Sequence, residues 1–374
     1  MADRLYLEYP RQRDVIFVMG AGASVSEGVP LQKDIVSALF SKEDADLNGS
    51  EAINLVRQFI EENFYTSSGK FYPTLESIFG YLDYFITKQE ALGQNYSTEK
   101  IRDIREALIQ TIHYLIASNC SKGQVYKKFW QTVDAHNRNI SVVTMNYDTL
   151  IDEAFDFLFY KRAFIDFCID LMNYDDLEGI DAFNWWINPR EPVEVESGNL
   201  PVSIKLLKIH GSLNWKFCNC CNQVLLTPWD TRIDLTSMGF KRYIYPSCEN
   251  PDTQVFDLLC PHDGNRFQTC IVPPSHIKNL AHPVINKLLD ETANEIRKSK
   301  KLVFIGYSFP EADVHIKALF MKNLLPNHEI HVVDPYLNEQ IKSNYKSLSE
   351  GVHFHEIGFD RFVDQEMGKI LSEA

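Results

Sequence analysis

Short apolar runs recur along this chain without alternating apolar and polar positions, and each ends in small or polar residues. They lie at 15–19, 141–145, 204–209, 301–305 and 330–333 and are rich in Val and Ile. A strand with one wet face reads apolar-polar-apolar. Unbroken runs of this length instead describe strands covered on both sides, as in a parallel sheet between helices. Residues 353–357 add an edge strand. The predicted fold class is therefore α/β, a Rossmann-like parallel sheet with helices on both faces. The intervals between the runs exceed what simple crossovers need, so insertions are required.

Residues 50–136 supply an all-helical insertion. From Ile101, apolar residues recur at Ile104, Leu108, Ile112 and Leu115, which is one helix face, and Phe79, Leu82 and Phe85-Ile86 mark another. A second insertion, 155–200, is aromatic-rich and acidic and contains Trp185-Trp186. Residues 216–272 hold most of the eight cysteines among many turn formers and read as a small loop-rich module. The formal charge of −14 argues against a broad nucleic-acid-binding face, which needs clustered Lys and Arg. No run approaches the ~20 apolar residues of a membrane helix, and residues 1–14 carry no apolar signal core. A soluble, cytoplasmic protein is expected, with its cysteines as reduced thiols or metal ligands rather than a disulfide frame.

The strand ends carry the chemistry. Gly20-Ala21-Gly22-Ala23-Ser24 follows the first run, and Gly28-Val-Pro30 precedes a helix expected near Gln32. Gly20 and Gly22 permit positive φ and the close backbone approach that a pyrophosphate requires, with freed N–H groups and a helix N-terminus supplying positive partial charge. Val25 stands where a third glycine of a dinucleotide fingerprint would be, and a tight turn with no ligand is the plain alternative. Asn146-Tyr-Asp148 ends the second run and opens a helix from Thr149. Capping accounts for one of the pair, not both. Asn146 suits a ribose hydroxyl or a water, and Asp148 a carboxamide or a developing cation. His210, before Gly211-Ser212, lies where an open α/β sheet places ligands, and its ordinary pKa suits a general base at neutral pH. His262 and His276 are loop candidates without a clear role. Gly306 and Ser308 let a nucleotide approach the backbone, and Asp334 either accepts from ribose hydroxyls or turns the chain before Pro335.

Cys218-Asn-Cys-Cys221 offers one C-x-x-C pair, but Cys248 is solitary and Cys260-Pro-His-Asp263 has Asp where a second Cys belongs. Zinc held by Cys218, Cys221 and Cys260 with His262 or Cys270 is one reading, and a decayed site is the other. With four protein ligands such a zinc is structural.

In order and spacing these motifs resemble the sirtuin family. Gly20-Ala-Gly-Ala-Ser24 with Gly28-x-Pro30 resembles its NAD phosphate loop, Asn146-Tyr-Asp148 its Gln-Asn-x-Asp, and His210-Gly211 its catalytic histidine. The C-x-x-C module falls where the family places a zinc ribbon, and Gly306-x-Ser308 resembles the later NAD-binding strand. The resemblance implies a single catalytic domain over 1–374, with NAD bound as substrate. Two departures bear on activity. Protein-deacylating sirtuins carry Asp-Phe-Arg after Gly-x-Pro, where this chain has Leu31-Gln-Lys33. Their Phe-Gly-Glu segment, which pairs with substrate peptide, is replaced by Ile271-Val-Pro-Pro-Ser-His276, whose prolines cannot offer the same ladder donors. The combination resembles the bacterial sirtuin-like proteins of anti-phage defence that degrade NAD. It implies an NAD+ glycohydrolase that forms a homo-oligomer and pairs with a HerA-type ATPase, with no membrane and no direct nucleic-acid contact. On this reading Asn146, Asp148 and His210 are catalytic. Gly20, Ala21, Gly22, Ser24, Gly306, Ser308 and Asp334 hold the dinucleotide. The alternatives are a protein deacylase and a non-catalytic NAD or ADP-ribose sensor.

Overall fold

The computed structural model describes residues 3–41, 45–65, 72–120, 123–159, 163–172, 192–195, 201–226, 241–243, 255–257, 259–260, 262–265, 267–273, 282–310 and 313–373. Trp185-Trp186, Cys248 and His276 lie outside them, as does most of the predicted second insertion.

Seven strands form the central sheet: β1 (Arg13–Met19), β2 (Ile140–Thr144), β3 (Ala163–Asp166), β4 (Val202–Lys208), β5 (Ser299–Ile305), β6 (Glu329–Val333) and β7 (Val352–His355). Their order is β7-β6-β5-β1-β2-β4-β3, and every neighbouring pair is parallel. Each predicted strand is present, 353–357 at the edge as expected. The opposite edge, β3, falls inside the region read as an insertion. The chain steps from β1 to β2 on one side, and later places β5 on the other side of β1. That reversal falls at β1, and open α/β sheets bind ligands outside the carboxyl ends of the strands at such a point.

Alternate side chains of neighbouring strands reach helices on opposite faces. Lys205 of β4 donates to Glu291 and Glu295 of helix Pro283–Lys298, whereas Lys208, three residues on, donates to Asp152 of helix Leu150–Phe159. An odd separation in a period-two strand points the two lysines apart, so the sheet is covered on both sides. Phe17 meets Phe129 of helix Gln124–His136 edge-on, at 4.9 Å between ring centroids. Lys208 and Asp152 are both 0% exposed, at 3.1 Å. Near the amino ends of the strands, Glu295 accepts from Arg13 Nε (3.0 Å), Lys205 Nζ (2.8 Å) and Ser141 Oγ (2.5 Å), which neutralises and hydrogen-bonds a buried carboxylate.

The helices Gln32–Leu39, Glu51–Phe64, Leu75–Lys88 and Thr98–Asn119 pack around an apolar cluster of their own. Ser50, Thr74 and Ser97 cap the last three by accepting from the amides of Ile53, Ser77 and Lys100. Ile101, Ile104, Leu108, Ile112 and Leu115 all face this cluster, as their spacing predicts. Gln124–His136 is helical too, but its Tyr126, Phe129, Trp130 and Val133 join the core around the sheet. The helical block therefore begins at Gln32 and ends before Gly123, earlier at both ends than 50–136. After β4 the chain enters a three-stranded antiparallel sheet of order 268–271, 211–217, 224–226, and a separate antiparallel pair, 241–243 with 255–257, lies in the same Cys-rich module.

Candidate active site at the carboxyl edge of the sheet

Three predicted segments leave adjacent strands at the same edge and are bonded to one another. The glycine turn leaves β1 as two short 3-10 turns, Ala21–Ala23 and Val25–Glu27, before the helix at Gln32. Its amides are largely spoken for: Gly20 N–H donates to Ile305 O, Gly22 N–H to Gly306 O, Ala23 N–H to Gly20 O and Ser24 N–H to Ala21 O. The expectation of freed amides and positive φ at Gly20 and Gly22 is corrected here. Gly20 has φ −108°, and positive φ occurs instead at Gly28, 85°, and Gly306, 58°. What requires glycine is the crossing of two backbones. A Cβ on Gly22 would lie 2.7 Å from Gly306 Cα, and one on Gly306 would lie 2.4 Å from Ala23 N. Ala21 and Gly22 remain exposed at the surface of this junction, and Ser24 is buried beneath it.

Ser24 is the hub of a buried polar network. Its hydroxyl donates to Asp148 Oδ2 (2.8 Å), lies 2.8 Å from Tyr126 OH, and accepts from Asn146 Nδ2 at 3.0 Å. Asn146 Nδ2 also donates to Gly20 O at 3.0 Å, which ties the end of β2 to the glycine turn. Asp148 Oδ1 accepts from Leu150 N at 3.2 Å, an i to i+2 contact that holds the turn into helix Leu150–Phe159. Burial raises the Asp148 carboxyl pKa, against the pull of Lys208 and Ser24 toward the ionised form. Lys208 also donates to Asp148 O, which locks the turn from beneath. Tyr126 and Glu27 escape a reading of strand ends alone. Glu27 Oε1 accepts from Val125 N at 2.5 Å, at the start of the helix that carries Tyr126.

His210 sits one residue beyond the β4 extension and is buried. Ile209 N donates to Thr144 O, Leu213 N to Tyr147 O and Val272 N to His210 O, which binds the histidine to the β2 exit on one side and to residue 272 on the other. Gly211 has φ 79°, and a Cβ there would lie 2.0 Å from Cys270 O, so only glycine lets the chain turn beneath His210. The Tyr147 ring lies 6.4 Å from the imidazole at 28°, and the His315 ring 5.8 Å away at 29°. Asp313 Oδ1 approaches His210 Nε2 to 3.7 Å. Asp313 and His315 lie past the end of β5. An acid and a histidine just beyond Gly306-Tyr-Ser-Phe-Pro310 were the available signal.

The remaining predicted contacts lie at the same edge. Gly306 N donates to Val333 O, and Ser308 is exposed, its carbonyl accepting from Asn344. Asp334 Oδ1 accepts from Tyr336 N at 2.8 Å, the turn-forming alternative for this residue.

Cys218, Cys221, Cys260 and Asp263 bring their ligand atoms within 4.8 Å of one another. Cys221 Sγ and Cys260 Sγ are 3.8 Å apart, close to the ~3.8 Å that two thiolates at ~2.3 Å from a tetrahedral zinc would show. The donor set fits zinc. The fourth donor beside the three cysteines is Asp263 rather than the expected Cys270 or His262, and Cys270 is buried on the strand paired behind Gly211. Such a zinc, with four protein ligands, would tie the Cys218–Cys221 turn to the 260–265 turn and leave no position for substrate.

A model described as "SIR2-like domain" matches residues 140–329, just over half of the chain. The chain belongs to the SIR2-like family. Solved structures with similar folds include a Sir2 homologue in complex with NAD, at 11% identity over 97% of this chain and 90% of that one, TM-score 0.46. Another is a mutant Sir2 homologue with 2′-O-acetyl-ADP-ribose, at 11% identity over 97% and 93%, TM-score 0.45. A third is a Sir2 mutant with a p53 peptide and NAD, at 10% identity over 96% and 93%, TM-score 0.39. No curated protein sequence matches the chain. Among the described residues of this SIR2-like protein, no helix is long and apolar enough to cross a membrane.

Proposed function

We propose that this SIR2-like chain is an NAD+ glycohydrolase, converting NAD+ and water to nicotinamide, ADP-ribose and a proton. The observation that carries the reading is the meeting of the glycine turn, Asn146 and His210 at one edge of the sheet. The bond between ribose C1′ and nicotinamide nitrogen breaks, and its electron pair leaves with neutral nicotinamide. A water oxygen then bonds to C1′. The Asn146 amide, held rigid by Gly20 O and Ser24, positions that water or a ribose hydroxyl, and His210 takes the proton released. Asp148 has both carboxylate oxygens engaged, so its part is to supply negative charge behind Ser24 and to keep Asn146 in place. The exposed face of Ala21 and Gly22 receives the diphosphate, with Gly20 and Ser24 shaping it. Gly306, Ser308 and Asp334 flank the adenosine side.

One contact favours hydrolysis over deacylation. Val272 N–H donates to His210 O, and Val272 O accepts from Tyr147 OH at 3.0 Å. Both backbone groups of Val272, in the segment that would pair with a peptide, are thus used inside the protein, and Pro273 adds no donor. The test is purified protein with NAD+, with and without an acetylated peptide. Free ADP-ribose and nicotinamide without peptide support the reading. Acetyl transfer to ADP-ribose would establish a deacylase, and binding without nicotinamide release a sensor. His210→Ala should lower turnover by about 10²–10⁴-fold with an unchanged circular dichroism spectrum.

Unchecked NAD+ loss would harm the host, so control through assembly belongs to the same proposal. Anti-phage defence as a homo-oligomer with a HerA-type ATPase is the setting that the motifs suggest. The helical block 32–119 is the proposed partner surface. Following nicotinamide with and without the ATPase and DNA tests the pairing.

A further inference from the structure

The loop after β5 brings a carboxylate to His210 that the hydrolytic steps above leave unused. Asp313 Oδ1 lies 3.7 Å from His210 Nε2, with the two side chains 8% and 5% exposed. Its other oxygen, Oδ2, accepts from Tyr307 OH at 3.0 Å. Tyr307 is fixed in turn, because Tyr345 OH donates to Tyr307 O, and Asp313 N donates to Pro310 O to close the loop. His210 is fixed independently through Val272 and the β2 exit. Two separately anchored elements therefore converge on one carboxylate–imidazole contact.

We infer that Asp313 is the positioning residue of His210: it holds the imidazole in one orientation, keeps a proton on Nε2 and leaves Nδ1 as the basic nitrogen. The inference rests on the proposed role of His210 as base. At 3.7 Å the pair is in ion-pair range rather than hydrogen-bonded, and such contacts tighten when substrate closes a site. Attraction across so dry a contact is screened far less than at a surface. Among the described residues, Asp313, His315 and Tyr147 face His210. Burial, with Asp313 next in weight, raises the phenols of Tyr147 and Tyr307 above their ordinary range, so both stay neutral. With both phenols neutral, Asp313 is the acidic group beside the imidazole; as an anion it favours protonated His210, and a protonated His315 would oppose it.

The decisive measurement is an NMR titration of the His210 imidazole in the full chain and in Asp313→Asn. Removing the charge should lower the His210 pKa by about one unit or more. The acid limb of kcat/KM for NAD+ should move to lower pH by the same interval, because the base must be neutral to act. With the wrong tautomer favoured, kcat should fall on the order of 10²-fold or more while KM stays near its original value. An unshifted His210 pKa in a folded Asp313→Asn variant overturns the inference. Should that variant not fold, the 15N shifts of the unaltered protein decide. The Nε2–H tautomer above the His210 pKa supports the pair, and the Nδ1–H tautomer refutes it. Absence of nicotinamide release from the unaltered protein would sink the hydrolytic reading alone, since the titration needs no turnover.

Discussion

Replacing Gly306 by alanine isolates the junction on which the glycine turn is built. The added methyl would stand 2.4 Å from Ala23 N, 2.4 Å from Gly22 C and 2.5 Å from Gly22 Cα. All three are backbone atoms, so no side-chain rotation relieves the contact. Gly306 also has φ 58°, where a non-glycine residue is strained by about 1–2 kcal/mol. A chain restricted by alanine loses less entropy on folding, which returns about 0.4–1 kcal/mol. Overpacking a tight site adds about 1–3 kcal/mol. Gly306→Ala should therefore destabilise by about 2–4 kcal/mol, or relax by pushing the glycine turn away from β5 and weakening NAD+ binding. Gly93→Ala is the control: it has φ 64° with nothing within 4 Å of the added methyl, so only backbone strain applies. Urea unfolding and NAD+ calorimetry on both variants separate the terms. If Gly306→Ala matched Gly93→Ala within about 0.5 kcal/mol and bound NAD+ as the parent does, the crowded-junction argument would be wrong.

The buried pair beneath the site allows a sharper stability test. Lys208→Met strands Asp152 without its cation and should cost about 3–5 kcal/mol, most of it recovered by adding Asp152→Leu; a single variant as stable as the parent would contradict this. Acid should act through Glu295. Burial pushes its carboxyl up, but Arg13, Lys205 and Ser141 pull it net below the ordinary 4.5. A depressed folded pKa contributes stability that is fully present above the unfolded value and is lost as pH falls through the folded one. Urea midpoints should thus drop below pH 4.5, and Glu295→Gln should be less stable at neutral pH with a shallower acid dependence. Parallel pH profiles for the two proteins would remove Glu295 from the account.

The sheet was legible because burial on both faces writes itself as unbroken Val and Ile runs. β3 was not, since Ala163–Asp166 is four residues at an edge, amid an aromatic stretch with no such run. Helix periodicity located the helical block but not its limits. Gln124–His136 has the same periodicity as its neighbours, and only the partner of its apolar face, the sheet rather than the block, sets it apart. At the site, the residues at strand ends could be named one by one. Their partners could not, because Ser24 to Tyr126 and His210 to Asp313 are contacts across about a hundred residues each. Lys208 was a missed clue: a lysine closing an apolar run must bury its charge and therefore needs an acid. The positive φ was misassigned for a similar reason, since which of two crossing loops bends is a property of their meeting.

Arg13, Ser141, Lys205 and Glu295 clamp the sheet near the amino ends of its strands, while Ser24, Asn146 and His210 gather at the far rim. Cohesion and the proposed chemistry thus occupy opposite poles of the same strands, with buried apolar layers between them. A change to the loops at the far rim would therefore leave the contacts of this ionic knot untouched.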